Sequence, residues 1–222
     1  MGRLLTTAHR HHLPSPVLPI IDPLATIGLV DAVAAVARGG AGWVEYRDKK
    51  ADDRRAHERA VALVAACREL GVRLLINDRV DVALATGADG VHLGQDDLPV
   101  AAARELLGDR AIIGISVDTV EEAMAAEALP VDYIAIGPVF GTSSKPDAGR
   151  VIGLDGVRAA AIAISKPLVA VGGIDLSNAE DVVAAGCDCV AVLSALFGSR
   201  GPEDATRRLI EAAEAALERR GD

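Results

Sequence analysis

Leu74–Leu75–Ile76–Asn77–Asp78–Arg79 and Asp89–Gly90–Val91–His92–Leu93–Gly94–Gln95–Asp96–Asp97 are built alike: a short apolar run, then a polar cluster. Read as neighbouring strands of one parallel sheet, they deliver Asp78 and Asp97 to the same edge. Paired carboxylates suit Mg²⁺, which takes one or two protein carboxylates and leaves its other positions to water and substrate phosphate. The plainer reading makes each Asp the N-cap of the helix that follows, a task Asp performs well. For either residue alone the cap is the better reading. The rest of that sheet edge decides between the two.

Outward from this stretch, apolar runs alternate with helical spacing. Strands are expected at Val17–Asp22, Trp43–Arg47, Val72–Asn77, Ala88–Leu93, Ala111–Ile115, Asp132–Ile136, Leu168–Val171 and Cys189–Leu193. Helices are expected at Ile27–Arg38, around Ala60–Cys67 up to Gly71, at Val80–Thr86, from Pro99 past Leu107, and at Glu121–Leu129 and Gly156–Ile164. Two more are expected from Ser177 to Gly186 and from Pro202 to Arg220. Thr119–Val120–Glu121–Glu122 reads as a capping box, and Ser177-x-x-Glu180 as a second helix cap. Strict strand–helix alternation of this kind implies an α/β fold, a single (β/α)8 TIM barrel of parallel strands. It forms one catalytic domain over residues 16–222 behind a flexible segment, residues 1–15. An open doubly wound sheet would carry a G-x-G-x-x-G turn after the first strand, and the sequence has none there.

Half of the 222 residues are apolar but only 2% are aromatic. The core is therefore Ala, Val, Leu and Ile, the filling of strands buried on both faces. A formal charge of −9 and a pI near 5.0 argue against nucleic acid as a partner, which wants a basic footprint. They do not exclude an anionic small molecule. Cys67, Cys187 and Cys189 suit neither a disulfide framework nor a usual zinc spacing, and read as packed thiols. No run approaches the roughly 18–20 apolar residues that cross a bilayer, and the N-terminus lacks a signal-peptide core. No membrane partner is expected, and a cytoplasmic location follows by default. His9, His11 and His12 read as a mobile polar terminus rather than a metal site. A homo-oligomer is left open.

In such barrels the active site is built at the C-terminal ends of the strands. That edge would hold Arg47 and Lys49, Asn77 and Asp78, Gln95 and Asp97, Ser116, Thr142–Ser143–Ser144–Lys145, Gly172–Gly173 and Ser194. The opposite edge reads as mostly Gly, Pro and Ala. Arg47, Lys49 and Lys145 facing two carboxylates suit a metal-bound pyrophosphate, Arg forking onto oxygens and Lys acting as a point charge. A solvated turn is the alternative for the Arg47–Lys50 run. Gly172–Gly173 and Leu193–Ser194 suit a phosphate site made of backbone, with tight turning as the alternative. Thr142, Ser143 and Ser144 offer hydroxyls to a second phosphate, or form only a polar lid. His92 reads as a core histidine rather than a base. Two phosphate sites suggest an enzyme joining or rearranging two phosphorylated small molecules.

Several runs in one order resemble the thiamine phosphate synthase family. They are Glu45–Tyr46–Arg47–Asp48–Lys49, Ile76–Asn77–Asp78–Arg79, Gly90–Val91–His92–Leu93–Gly94–Gln95–Asp96–Asp97–Leu98 and Ile113–Gly114–Ile115–Ser116. Gly137–Pro138–Val139–Phe140–Gly141–Thr142–Ser143–Ser144–Lys145, Val171–Gly172–Gly173–Ile174 and Val190–Ala191–Val192–Leu193–Ser194 continue the series. The resemblance spans roughly residues 17–215 and implies a transferase of thiamine biosynthesis. Such an enzyme couples hydroxymethylpyrimidine pyrophosphate to thiazole phosphate, with Mg²⁺ as cofactor on Asp78 and Asp97. It implies the pyrimidine pyrophosphate at Glu45, Tyr46, Arg47, Asp48, Lys49, Asn77, Ser116 and Lys145. Of these, Arg47, Ser116 and Lys145 would be catalytic. The thiazole phosphate would lie at Thr142, Ser143, Ser144, Gly172, Gly173, Leu193 and Ser194. The implied mechanism is dissociative: pyrophosphate leaves first and the thiazole nitrogen captures the pyrimidine methylene cation.

The chain departs from the family pattern in places. Glu45 stands where the family usually has Gln, Asp118 where members often carry His, and Ser144 where Thr is common. A carboxylate at position 45 donates no hydrogen bond unless protonated. The nearest alternative is the thiazole tautomerase branch, which looks to use a His where this chain has Pro138. A non-catalytic barrel that binds thiamine precursors is a second, and a barrel isomerase with Glu45 as its base a third.

Overall fold

The computed structural model describes residues 13–23, 27–142, 149–197 and 201–221. Its strands are β1 (Val17–Ile21), β2 (Trp43–Tyr46), β3 (Arg73–Asn77), β4 (Gly90–Leu93), β5 (Ile112–Val117), β6 (Tyr133–Ile136), β7 (Leu168–Val171) and β8 (Cys189–Val192). They close into a barrel in sequence order, all pairs parallel, with β1 bonded to β8. The outer layer is α1 (Leu29–Arg38), α2 (Asp53–Leu70), α3 (Val80–Thr86), α4 (Val100–Leu107), α5 (Val120–Ala126), α6 (Gly153–Ala163), α7 (Ala179–Ala184) and α8 (Gly201–Arg220). This is the (β/α)8 barrel that the alternation implied.

Alternation along each strand creates two cores. On β2, Trp43 and Glu45 face the barrel interior, while Val44 and Tyr46 pack towards the helices. The interior is small: Leu18, Leu75, Val169 and Cys189 surround Trp43 and Tyr133, whose rings meet edge to face at 5.3 Å. The layer between sheet and helices is Val, Ile, Leu and Ala almost throughout. Each such branched side chain contributes about 1.5–3 kcal/mol when fully buried, so the ring of helices is held mainly by this layer.

The N-terminal rim is not the Gly, Pro and Ala edge that the sequence suggested. Asp89, Asp132 and Asp188 stand just before β4, β6 and β8, and each accepts a backbone N–H at the start of the preceding strand. The donors are Leu74 at 2.9 Å, Ile113 at 2.8 Å and Leu168 at 2.8 Å. Each carboxylate also meets an arginine: Arg73, Arg104 and Arg220 respectively. Arg104 donates further to the carbonyls of Gly108, Ala111 and Pro130. The rim thus holds N–H and C=O groups that the barrel ladder leaves over.

Local bounds shift slightly. β5 continues through Ser116 and Val117, α5 ends at Ala126, and α6 starts at Gly153. The capping box is present: Thr119 accepts from Glu122 N at 3.1 Å, and Glu122 reaches back to Asp118 N at 2.7 Å. The Ser177 cap is not. Asn178 is the N-cap of α7, and the Ser177 hydroxyl donates instead to Asp175 at 2.6 Å. A carboxylate two residues away outcompetes a backbone partner for that short side chain. Pro99 is the N-cap of α4 rather than its first helical residue.

Of the expected flexible segment, residues 1–12 lie outside the described residues. Leu13 packs on the interior core, and Ser15 O accepts from Trp43 Nε1 at 3.2 Å. Cys67, Cys187 and Cys189 are buried free thiols. Among the described residues, no helix is long and apolar enough to cross a membrane.

Candidate active site

The C-terminal ends of the strands surround a cavity of roughly 400 Å³, within the range of small-molecule sites. Leu18, Ile20, Ala135, Val169 and Ala191 form its apolar floor. Most of the charge lies on one wall, where Glu45, Arg47 and Lys49 come from β2 and its loop, and Asn77, Asp78 and Asp97 from the ends of β3 and β4; Asp96 and, beyond β5, Asp118 also border the cavity. Opposite lie Pro138, Thr142, Gly172, Gly173, Leu193 and Ser194.

Neither Asp78 nor Asp97 is a helix cap. The N-caps of α3 and α4 are Arg79 and Pro99, without side-chain capping bonds. Asp78 sits at φ 61°, the only positive φ among the described residues outside glycine. Arg79 N donates to Asn77 O at 2.8 Å across it, closing a three-residue turn, while Asp78 N is held by His92 O at 2.8 Å. A non-glycine residue in this region costs about 1–3 kcal/mol and persists where its surroundings over-determine it. The turn aims the Asp78 carboxylate at the cavity, where Lys49 pairs with it. Asp97 is oriented by Gly94 N at 2.7 Å.

Burial raises the Asp78 pKa, Lys49 opposes the rise, and the neighbouring Asp97 carboxylate adds to it. Two acceptor groups sharing one wall and repelling each other are a donor set that a hard divalent cation relieves. Among the described residues no cluster of three or more acidic, His or Cys ligands forms. Two carboxylates alone match Mg²⁺, which keeps waters and phosphate oxygens in its shell.

Glu45 is 3% exposed, and among the described residues its carboxyl has no hydrogen-bond or ion-pair partner. Burial raises its pKa; Arg47 and Lys49 pull it down, Asp78 pushes it up, and the net direction is upward. His92 is buried, as a core histidine should be, yet it borders the cavity. Its ring is bonded on both sides, Nδ1 to Tyr133 Oη at 2.8 Å and Nε2 to Ser116 Oγ at 2.7 Å. Gln95 Nε2 donates to Ser116 O at 2.6 Å and braces the same strand end.

Two residues of the expected pyrophosphate set stand elsewhere. Tyr46 faces the helices, and Asp48 turns away from the cavity to meet Tyr46 Oη, the amides of Lys50 and Ala51, and Arg59 of α2. Their part is to set the loop from which Arg47 and Lys49 project. Ser143, Ser144 and Lys145 lie outside the described residues. At Gly172 and Gly173 the backbone has φ 101° and 65°, and an added Cβ would lie 2.7 Å from Pro138 and Phe140. Glycine there lets the loops after β6 and β7 pack together, with Phe140 N donating to Gly172 O at 3.0 Å. Sequence reasoning missed Arg59 and Tyr133. Tyr133 had a usable signal, since in a chain so poor in aromatics it and Trp43 both fall at inward strand positions.

Residues 17–196 match the family model described as thiamine monophosphate synthase. The chain belongs to this family. Its relatives include the thiamine-phosphate synthase of Roseiflexus sp. (strain RS-1), 46% identical over 86% of this chain and 81% of that protein. That of Chloroflexus aurantiacus is 48% identical over 80% and 82%. Among solved structures, thiamine phosphate pyrophosphorylase from Pyrococcus furiosus superposes with a TM-score of 0.83 at 39% identity, covering 92% of this chain and 98% of that one. The expected assignment to thiamine biosynthesis, and to the transferases, is therefore met.

Proposed function

We propose that this barrel couples hydroxymethylpyrimidine pyrophosphate to thiazole phosphate, giving thiamine phosphate and pyrophosphate. The observation that carries the reading is the division of the cavity. Arg47, Lys49, Asp78 and Asp97 form one charged wall, and the Gly172–Gly173 and Leu193–Ser194 backbone lies across an apolar floor from it. The charged wall suits a pyrophosphate, the backbone wall a phosphate monoester, and the floor two heteroaromatic rings.

In the reaction the bond from the pyrimidine methylene carbon to pyrophosphate oxygen breaks, and its electron pair leaves with pyrophosphate. The thiazole nitrogen then supplies the pair for the new C–N bond. Arg47 and Lys49, with Lys145, stabilise charge growing on the leaving group. Asp78 and Asp97 would hold Mg²⁺, which when bound neutralises pyrophosphate oxygens. Asn77 and Ser116 orient the pyrimidine substrate, and the apolar floor keeps water from the methylene cation. No protein nucleophile is required. The buried cysteines are unsuited to that role, with the Cys67 and Cys187 thiols pushed up to about 12 by burial. Pro138, bordering the cavity where the tautomerase reading wants a histidine, carries no proton.

The test is to mix the purified protein with both phosphorylated substrates and Mg²⁺ and to assay thiamine phosphate and pyrophosphate, with an EDTA control. Metal-dependent formation of both products is expected. Binding of both substrates by calorimetry without turnover would replace this reading with that of a precursor-binding protein.

A further inference from the structure

His92, Gly114 and Tyr133 are consecutive partners in register across β4, β5 and β6. The middle residue has no side chain, and the space is taken: a Cβ on Gly114 would lie 2.0 Å from Tyr133 Cζ. Tyr133 therefore crosses over β5 and stacks on the His92 ring, centroids 5.6 Å apart and planes at 23°. Its hydroxyl reaches His92 Nδ1 at 2.8 Å, and His92 Nε2 reaches Ser116 Oγ at 2.7 Å. The three side chains form one line from the barrel interior to the cavity.

The direction of the protons along this line follows from burial. Tyr133 is 0% exposed, and among the described residues its hydroxyl has no polar partner other than His92. If Nδ1 carried the histidine proton, it would donate to Tyr133 Oη and strand the phenolic O–H without an acceptor. A buried donor left unmade costs about 1–3 kcal/mol. With the proton on Nε2, Tyr133 donates to Nδ1 and Nε2–H donates to Ser116 Oγ. Ser116 borders the cavity, so its own O–H can be directed at an acceptor that enters there. Burial also holds the Tyr133 phenol well above its ordinary range, so it keeps the proton it donates.

We propose that Tyr133 is a positioning residue: it fixes the Nε2–H tautomer of His92, which turns Ser116 into an obligate hydrogen-bond donor to a lone pair of the pyrimidine substrate. The identity of that acceptor rests on the function proposed above; the proton order does not. The device makes Ser116 selective for ligands that offer an acceptor at that point. It also explains a glycine at position 114 and a tyrosine in an interior otherwise filled mainly by aliphatic side chains.

The experiment uses the full chain labelled with ¹⁵N-histidine. A long-range ¹H–¹⁵N correlation spectrum distinguishes the two neutral tautomers and the imidazolium, and the His92 signal is assigned by its loss in His92→Gln. The expected result is a single neutral Nε2–H tautomer in the unsubstituted protein, and loss of that single pattern in Tyr133→Phe. An Nδ1–H tautomer or an imidazolium in the unsubstituted protein overturns the proposal, whatever Tyr133→Phe does. In the synthase assay, Tyr133→Phe and Ser116→Ala should each lower turnover about tenfold, with KM for the thiazole phosphate unchanged. The double variant should lose no more than Ser116→Ala alone, because Tyr133 acts through Ser116. Losses that multiply would make Tyr133 a packing residue and overturn the proposal. Absence of turnover in the unsubstituted protein would remove the functional reading and leave the tautomer result to decide the proton order.

Discussion

Arg104 at the N-terminal rim of the barrel and Arg47 at the C-terminal rim are one residue type in opposite states. Arg104 is bound to Asp132 and to three backbone carbonyls. The Arg47 side chain borders the cavity, and among the described residues its guanidinium has no hydrogen-bond partner. The carboxylates divide the same way. Asp89, Asp132 and Asp188 each hold a strand N–H and an arginine. At the other rim Glu45 is buried without a partner among the described residues, and Asp78 is strained at φ 61° beside a like charge. One rim uses its polar groups to satisfy the backbone. The other turns several of its polar groups, paired or not, towards the cavity. Backbone-satisfying groups and the candidate site thus lie at opposite ends of the barrel axis, the division general to this architecture.

That contrast can be broken at either end. The largest expected effect is at the N-terminal rim: Arg104→Met should lower unfolding stability by about 3 kcal/mol, because three carbonyls and Asp132 each lose a donor. Denaturant titration measures it, and kcat of the folded fraction should not change. A comparable loss of activity at unchanged stability would merge the two rims. At the C-terminal rim, Asp78→Asn tolerates the left-handed backbone but removes the charge. Turnover should fall at least about 100-fold, near 2.7 kcal/mol of barrier, while the melting temperature holds or rises. Retained Mg²⁺-dependent turnover would remove Asp78 from the metal site.

Asp48 sharpens the contrast, since it lies at the C-terminal rim yet is fully bonded. Asp48→Ala should cost about 2 kcal/mol of stability and also raise KM for the pyrimidine pyrophosphate, through the freed Arg47–Lys49 loop. A change in KM without loss of stability would make position along the axis, rather than bonding, the deciding variable. The smallest effect is a gain. The folded Glu45 pKa is raised, so its favourable contribution is complete below the unfolded value and is lost as pH rises through the folded one. Glu45→Gln should therefore stabilise the protein by on the order of 1 kcal/mol at pH 8 and by nothing near pH 4. Thermal melts at the two pH values read the difference, and an equal gain at both would assign it to packing instead.

The C-terminal rim was far more legible in the sequence than the N-terminal one. Asn77–Asp78, Gln95–Asp97 and Gly172–Gly173 end apolar runs, so a strand reading alone brings them to one edge. Asp89, Asp132 and Asp188 each lie one residue before a strand, where the apolar pattern reads the first two as part of the strand and the third as loop, and marks none of them as a backbone acceptor. Their pairing with Arg73, Arg104 and Arg220 joins residues far apart in the chain, which no local pattern reports. The same limit hid Arg59, whose partner Asp48 looked like a ligand because it stands between Arg47 and Lys49. Ser177 failed as a cap for a nearer reason, because Asp175 competes for its hydroxyl within the turn.

The amino-acid sequence by itself determined the barrel, its strand order and the edge that bears the candidate site. Period-two and helical patterns are local, and eight parallel units of this length have few other ways to bury both faces of every strand. Only the tertiary structure decided how the candidate site residues are held: which carboxylate is strained, which is buried, and which arginine borders the cavity. Those outcomes depend on side chains meeting across strands. The tyrosine of β6 reaches the histidine of β4 because a glycine in β5 leaves the gap.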